Sequence, residues 1–534
     1  MNIFFNETEK KLAEIWQQLL SVYPNMNSNF FASGGNSLLL IRLTICISEQ
    51  IGMSVDVSGL LKNPVFSDMV MYVDSKKNEQ LYKYNPKYRY EGYPVPLSFS
   101  QKNIWDGVKL SGFSANYNMP FCFHILSNLD LYKFKEIVLK MIKRHRIFSC
   151  NISIDEMGEP LIQSDIHDVT LQFSDLSMLS DDVKELRLIE LEKVEFNKAI
   201  NILNCPLAKI ILVKISDEEY YFYLIIHHVI FDGVSCNLFL EELMNLYEYE
   251  RLTQLNVDYL DYICWENSKE YRESLNRGVA YWEQKLRDYT PLKLPLLDES
   301  SSDRISNFIS KQISIEDLQG LNELAKNNDT TLFVVFSLAL QMVLERVKTS
   351  GEIIFGAYTS QRIHSEFIHS LGNFINPVIL KCDFDINRSL SEGLIENHKN
   401  TVQDFSWQHV PFELIIKNMQ VGKTSDRNPF FNISLVFNEN VLKQEYQQGS
   451  LKIKLESKSK HGIDFDFDTD IEFVVYSNES GLFVGAAYIN SKVGDELIHT
   501  ILDSLSYLLS MFSTVNSDIA LSEIPICDVK LLSN

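Results

Sequence analysis

The sequence predicts an α+β protein: a small helical bundle at the N-terminus, then a long body in which strands and helices alternate in about two lobes. Three observations carry this. At 534 residues the chain is too long for one hydrophobic core. Its first 75 residues place apolar side chains at helical spacing. The remaining residues mix short apolar runs of strand length with amphipathic stretches of helix length.

In the bundle, Asn6 and Glu9 have the spacing of a capping box. Leu12, Ile15, Trp16, Leu19 and Leu20 follow on one helical face. A loop with Pro24 leads to a second helix, expected from Ser37 to about Ile51 and stopped by Gly52. Asn63-Pro64 reads as an N-cap and a first-position proline, opening a helix to about Val73. "SKKNEQLYKYNPKYRYEGY" (75–93) sustains no apolar period and reads as a linker or a segment laid on a domain surface.

Beyond the linker, "NMPFCFHIL" reads as a strand and "LDLYKFKEIVLKMIKRH" as an amphipathic helix. "CPLAKIILVKI" and "EYYFYLIIHHVI" read as buried strands, and "NLFLEELMNLYEYE" as the helix after Gly233. "GEIIFGAYTS", "FFNISLVFN" and "LFVGAAYIN" read as further strands. "TTLFVVFSLALQMVLERV" has about 14 residues before Glu345, short of the ~20 that span a bilayer, so a buried helix is expected.

Hydrophobic residues make up 45% and charged residues 22%, an ordinary globular composition. The net charge of −22 argues against nucleic acid or an anionic membrane surface as the main partner. Cys46, Cys122, Cys150, Cys205, Cys236, Cys264, Cys382 and Cys527 show no CxxC pair, which disfavours a zinc site or disulfide framework. "MNIFFNETEKK" has no basic segment before an apolar core, so no signal peptide is visible. A cytoplasmic location is the natural reading.

Two stretches carry chemistry. In "NFFASGGNSLLLIRL", Gly34-Gly35-Asn36 form a turn and Ser37 opens an apolar helix. Ser37 is either a plain helix cap or a modification site whose phosphate would meet the positive helix end. In "YYFYLIIHHVIFDGVSCNLFL" (220–240), His227, His228 and Asp232 interrupt an apolar run. If both histidines lie on the strand they face opposite sides and cannot share one metal ion. One histidine then faces a cleft and its neighbour the core. Asp232 either caps the next helix or stays charged through a partner such as an arginine. Period-two "DFDFDTD" (464–470) reads as a strand with one wet and one buried face, not a metal site.

The N-terminal segment resembles a peptidyl carrier protein of a nonribosomal peptide synthetase, through Phe30, Phe31, Gly34, Gly35, Ser37 and Leu38. The resemblance implies a four-helix carrier over 1–75 with covalent 4′-phosphopantetheine on Ser37, installed by a phosphopantetheinyl transferase. Residues 76–92 are then the linker. "HHVIFDG" resembles the HHxxxDG signature of condensation domains. "SFSQKNIW" (98–105), "YLDYICW" (259–265), Gly372, Phe374 and Asn376, "WQHVPFE" (407–413) and "DRNPFFNISLVF" (426–437) match that family in order. Asn103 stands where arginine is usual, and "RHRIFSCN" keeps only Arg144-His145 of its motif.

The condensation resemblance implies two chloramphenicol-acetyltransferase-like lobes in a V, at 93–267 and 268–534, with a tunnel between them. It also implies amide formation between a donor thioester and an acceptor amine. His228 is the expected catalytic residue, as a base or by positioning the amine. His227 is expected to support the local fold, Asp232 to pair with Arg362, and Gly233 to let the backbone turn and offer its amide to the oxyanion. The implied partners are the donor and an amine acceptor on another carrier, with an upstream adenylation domain. Release onto a soluble amine, ester formation with a hydroxyl and a non-catalytic scaffold stay open. Epimerisation is disfavoured because its acidic glycine-histidine motif is missing at "AYTSQRIHSE".

Overall fold

The computed structural model describes residues 6–526, apart from 21, 32, 34, 36, 52, 54, 56, 77–86, 165–168, 205, 253, 296–305, 363, 382, 422–427, 439–444, 457–468 and 479–480. It is an α+β molecule, with helices at the N-terminus followed by two six-stranded sheets and one three-stranded sheet.

Four helices form the N-terminal bundle: α1 (Glu7–Leu20), α2 (Ser37–Cys46), α3 (Val57–Lys62) and α4 (Phe66–Ser75). At the start of α1 the Glu9 amide donates to Asn6 Oδ1 at 2.7 Å and the Asn6 amide donates to Glu9 Oε2 at 3.2 Å. These reciprocal bonds satisfy two amides that the helix itself cannot. Leu12, Ile15 and Trp16 are fully buried, and the Trp16 ring meets Phe30 and Phe66 edge-on at 5.2 and 5.4 Å.

The Asn63-Pro64 reading is corrected. Helix α4 begins at Phe66 after an extended Val65, with no side-chain cap. Val65 forms a β-bridge with Asn29, and the Phe66 amide donates to the Ser28 carbonyl at 2.8 Å, so the chain there is committed to the preceding loop. The Asn63 amide group instead donates to the Gly59 carbonyl at the end of α3, at 2.8 Å.

The first half of the remaining body comprises β1 (Val95–Pro96), α5 (Phe99–Ser111), β2 (Asn118–Leu126), α6 (Leu131–Arg144), β3 (Cys150–Ile154) and β4 (Pro160–Ser164). It continues with β5 (Leu171–Asp175), α7 (Asp181–Phe196), β6 (Ala208–Lys214), β7 (Glu219–His227), α8 (Gly233–Tyr249) and α9 (Tyr259–Glu266). The second half opens with α10 (Lys269–Ser274), α11 (Asn276–Lys285), β8 (Ser306–Ile313), α12 (Ile315–Asn327) and α13 (Leu332–Val347). Next come β9 (Ile354–Ser360), β10 (Ile375–Lys381), α14 (Leu390–Phe405), α15 (Phe412–Met419) and β11 (Ile433–Asn438). It closes with β12 (Glu445–Gln448), β13 (Leu451–Leu455), β14 (Ile471–Asn478), β15 (Gly481–Ile489) and α16 (Asp495–Phe512).

One sheet runs β12-β13-β2-β7-β6-β5 and the other β10-β9-β11-β14-β15-β8. The first therefore takes two strands from the second half of the chain, with Ile453 opposite Ile125 and Leu455 opposite Phe123. A plain division of the lobes at 267/268 does not anticipate this crossing. Helix α13 is mostly apolar and buried from Val334 to Leu344, and its polar Ser337 and Gln341 are met by Asn397 of α14. Among the described residues no single helix is long and apolar enough to cross a membrane.

Part of the expected linker lies on the body, while 77–86 fall outside the described residues. The Tyr90 amide donates to Asp261 at 2.9 Å, and Lys87 pairs with Glu270 at 2.8 Å. Most of "DFDFDTD" also falls outside the described residues; its last two, Thr469 and Asp470, are buried, and Asp470 stands 3.4 Å from Lys492.

Candidate functional site

Strand β7 pairs with β2 and β6 and is buried over most of its length, which fixes where its end can lie. The strand stops at His227, and His228 begins a single 3-10 turn, His228–Ile230. The two histidines are thus separated by the end of the strand. This corrects the premise that they alternate along it.

His227 is buried, and its Nδ1 accepts from the Val229 amide at 3.1 Å. Burial, and secondarily the neighbouring His228, push its pKa down to about 3. His227 is therefore neutral at physiological pH and braces the turn. His228 is half-buried. Its Nδ1 lies 2.7 Å from the Phe231 carbonyl. A carbonyl only accepts, so Nδ1 carries the proton and the neutral ring keeps its lone pair on Nε2. Among the described residues no protein group hydrogen-bonds that Nε2.

Asp232 both caps α8 and pairs with an arginine. Its Oδ1 accepts from the Ser235 amide at 2.7 Å. Arg362, in the connection between β9 and β10, grips both carboxylate oxygens, at 2.7 and 3.0 Å. Burial alone would raise the Asp232 carboxyl. Arg362 and the Phe374 and Ser235 amides more than offset this and hold it below the ordinary carboxylate value. Arg362 also donates to Ser235 Oγ at 2.6 Å and to the Ser370 carbonyl at 3.2 Å, and lies over the Phe374 ring at 4.2 Å.

Gly233 is the first residue of α8 and is not among the left-handed glycines. It is helical, which corrects the expectation that it serves as a turn. Its amide is one of the helix-opening N–H groups without an intrahelical acceptor.

Gly372 and the stretches that hold Tyr259 and Ser100 stood among the sequence motifs, but sequence reasoning missed Ser235, Asn373 and the contacts by which these residues tie the halves together. Ser235 Oγ donates to the Gly372 carbonyl at 2.9 Å and accepts from the Gly372 amide at 3.0 Å. The Tyr259 hydroxyl donates to the Asn373 carbonyl, as does Ser100 Oγ at 2.7 Å. A Cβ at Gly372 would lie 2.2 Å from the Tyr259 ring, so only glycine fits. The local signal for Ser235 was its place three residues after an N-cap aspartate.

In the bundle, Ser37 is the first residue of the ten-residue α2. Its side chain, with Gly34 and Asn36, lies outside the described residues. The Gly35 amide donates to the Phe30 carbonyl at 2.9 Å, and a Cβ at Gly35 would lie 2.2 Å from the Phe30 ring. A tight glycine turn that delivers a serine to a helix N-terminus fits a phosphodiester on that serine, because the opening amides favour an anion.

Comparison with known proteins identifies the two parts of the chain. The condensation-domain profile matches residues 93–525, and the phosphopantetheine attachment site profile matches residues 10–73. Bacitracin synthase 1 of Bacillus licheniformis is 26% identical over 540 residues, covering 98% of this chain and 10% of that protein. Gramicidin S synthase 2 of Aneurinibacillus migulanus is 26% identical over 436 residues, covering 80% of this chain and 10% of that protein. The chain thus spans only about a tenth of these relatives.

Among solved structures, the X-domain from teicoplanin biosynthesis superposes with a TM-score of 0.71 at 15% identity, covering 83% of this chain and all of that one. The first condensation domain of the calcium-dependent antibiotic synthetase gives 0.65 at 17% identity, covering 82% of this chain and all of that one. These likenesses show the chloramphenicol-acetyltransferase-like fold of the body. The condensation profile takes in most of the chain, a phosphopantetheine attachment domain precedes it, and the protein belongs to the condensation-domain family.

Proposed function

We propose that this chain forms an amide bond between an acyl group held on its own carrier and the amine of an acceptor. The carrier occupies 1–75, the linker 76–92 and the two lobes 93–267 and 268–534, with the β12–β13 crossing noted above. Phosphopantetheine on Ser37, installed by a phosphopantetheinyl transferase, would supply a thiol that carries the acyl group as a thioester. An upstream adenylation domain supplies that acyl group, and a second carrier supplies the amine. The reaction runs in the cytoplasm.

The observation that carries this reading is the bond from His228 Nδ1 to the Phe231 carbonyl. It leaves Nε2 with a lone pair and no competing partner among the described residues. A free α-amine has a pKa of ~7.7–8.0, and the ester-like thioester carbonyl beside the acceptor amine lowers it further, so a large share of the nucleophile is neutral near neutral pH. The task of His228 is then to orient the amine and take the proton it sheds as the amide C–N bond forms; the thioester C–S bond breaks, and that proton goes on to the departing carrier thiolate. The Gly233 amide, at the positive end of α8, supports the developing oxyanion. His227, neutral and buried, keeps the turn in place, and Asp232 with Arg362 keeps the two lobes in register.

The test is to load Ser37 with an aminoacyl-pantetheine and offer carrier-bound and soluble amines separately. Mass spectrometry is expected to show the acyl group moved to the carrier-bound amine. Hydrolysis alone with both substrates present would contradict the proposal.

A further inference from the structure

The turn that carries His228 is held by a residue that the chemistry above does not use. The Val229 peptide is buried just behind His228, and both of its polar groups are met by side chains. Its N–H donates to His227 Nδ1, and its C=O accepts from Gln101 Nε2 at 3.0 Å. Gln101 lies on α5 and is fully buried. Its other amide atom, Oε1, accepts from the Ser98 amide at 3.1 Å, while its own N–H donates to Ser98 Oγ at 3.1 Å. One side chain therefore closes the capping box of α5 with its oxygen and reaches the histidine turn with its nitrogen. Each contact fixes the amide's orientation: the Ser98 N–H needs an acceptor and the Val229 carbonyl needs a donor.

We propose that Gln101 is a positioning residue for His228, acting through the Val229 carbonyl. Without that donor the carbonyl is a buried acceptor with no partner, and the turn must move to find one. The Phe231 carbonyl, two residues on, would shift with it. The hydrogen bond that keeps the proton on Nδ1 and the lone pair on Nε2 would then be weakened. Ser98 Oγ also contacts the Tyr259 hydroxyl at 2.9 Å, and that hydroxyl donates to the Asn373 carbonyl. That contact ties the start of α5, and not the histidine turn itself, to the opposite lobe. This inference rests on the catalytic reading of His228.

The test compares three variants of the full chain, each loaded on its carrier. Gln101→Met removes the donor to Val229 and the acceptor for the Ser98 amide. Ser98→Ala weakens the cap and the Tyr259 contact but leaves the Gln101 donor. Both are expected to lower the unfolding midpoint. Only Gln101→Met is expected to lower kcat, by about tenfold, with KM for the acceptor unchanged, because a misplaced base slows the step without altering binding. Equal losses of kcat in the two variants, or full kcat in Gln101→Met, would overturn the positioning role.

Gln101→Glu keeps an acceptor for Ser98, so it guards against a variant that fails to fold. Its rate relative to wild type is expected to recover as pH is lowered and the carboxyl regains a proton to donate. A ratio that does not change with pH also overturns the proposal. His228→Ala is run alongside. Full turnover there removes the catalytic reading itself, whereas a slow His228→Ala with a normal Gln101→Met removes the positioning role alone.

Discussion

Arg362, in the second half of the condensation body, grips both carboxylate oxygens of Asp232, in the first half, at 2.7 and 3.0 Å, with both side chains almost fully buried. The aspartate of the signature is a tie between lobes as well as a helix cap. Removing one partner leaves an uncompensated buried charge. Arg362→Met is expected to destabilise the protein by about 3–5 kcal/mol, read by urea unfolding. Adding Asp232→Leu should recover part of that loss. If the double variant costs as much as the sum of the singles, the two residues are not coupled.

Ser37→Ala tests the carrier assignment separately. Incubated with coenzyme A and a phosphopantetheinyl transferase, the wild-type chain should gain the mass of one phosphopantetheine and the variant none. A variant that still gains it places the attachment elsewhere.

His227 predicts a stability slope with pH. Its folded pKa, about 3, lies below its ordinary value of 6.5. In that window the unfolded chain binds the proton and the folded chain does not. Stability is therefore full above about 6.5 and falls as pH drops, by about 1.4 kcal/mol per pH unit in mid-window. His227→Asn, compared by denaturant titration at several pH values, should lack this component. Parallel slopes in the two proteins would mean that His227 is not held neutral.

Gly372→Ala tests the packing between halves. The new methyl would meet the buried Tyr259 ring, while the Gly372 amide is held by Ser235. Overpacking of this kind costs about 1–3 kcal/mol. Unchanged stability would show that the loop can retreat from the ring.

What was legible in the sequence was local. The pattern of "LFVVFSLALQMVLERV" marks α13 from Leu332 to Val347, because an almost unbroken apolar run through its middle turns calls for a buried helix. The box formed by Asn6 and Glu9 was equally readable. Asn63-Pro64 misled because a bridge from Val65 to a distant asparagine took precedence over a good local signal. The crossing of β12 and β13 onto β2 had no local signature, since Ile453 opposite Ile125 is a choice of partner far along the chain. At the site, the residue types in "HHVIFDG" were readable but their geometry was not. The break between His227 and His228 depends on where pairing with β2 and β6 ends, and the role of Gln101 depends on which carbonyl lacks a backbone donor.

The central claim is that His228 acts through a free Nε2, and single-turnover transfer from the loaded carrier to a carrier-bound amine tests it most directly. His228→Ala is expected to lower the transfer rate by roughly 100-fold or more, with loading of Ser37 unchanged. Transfer at the wild-type rate in that variant would contradict the account.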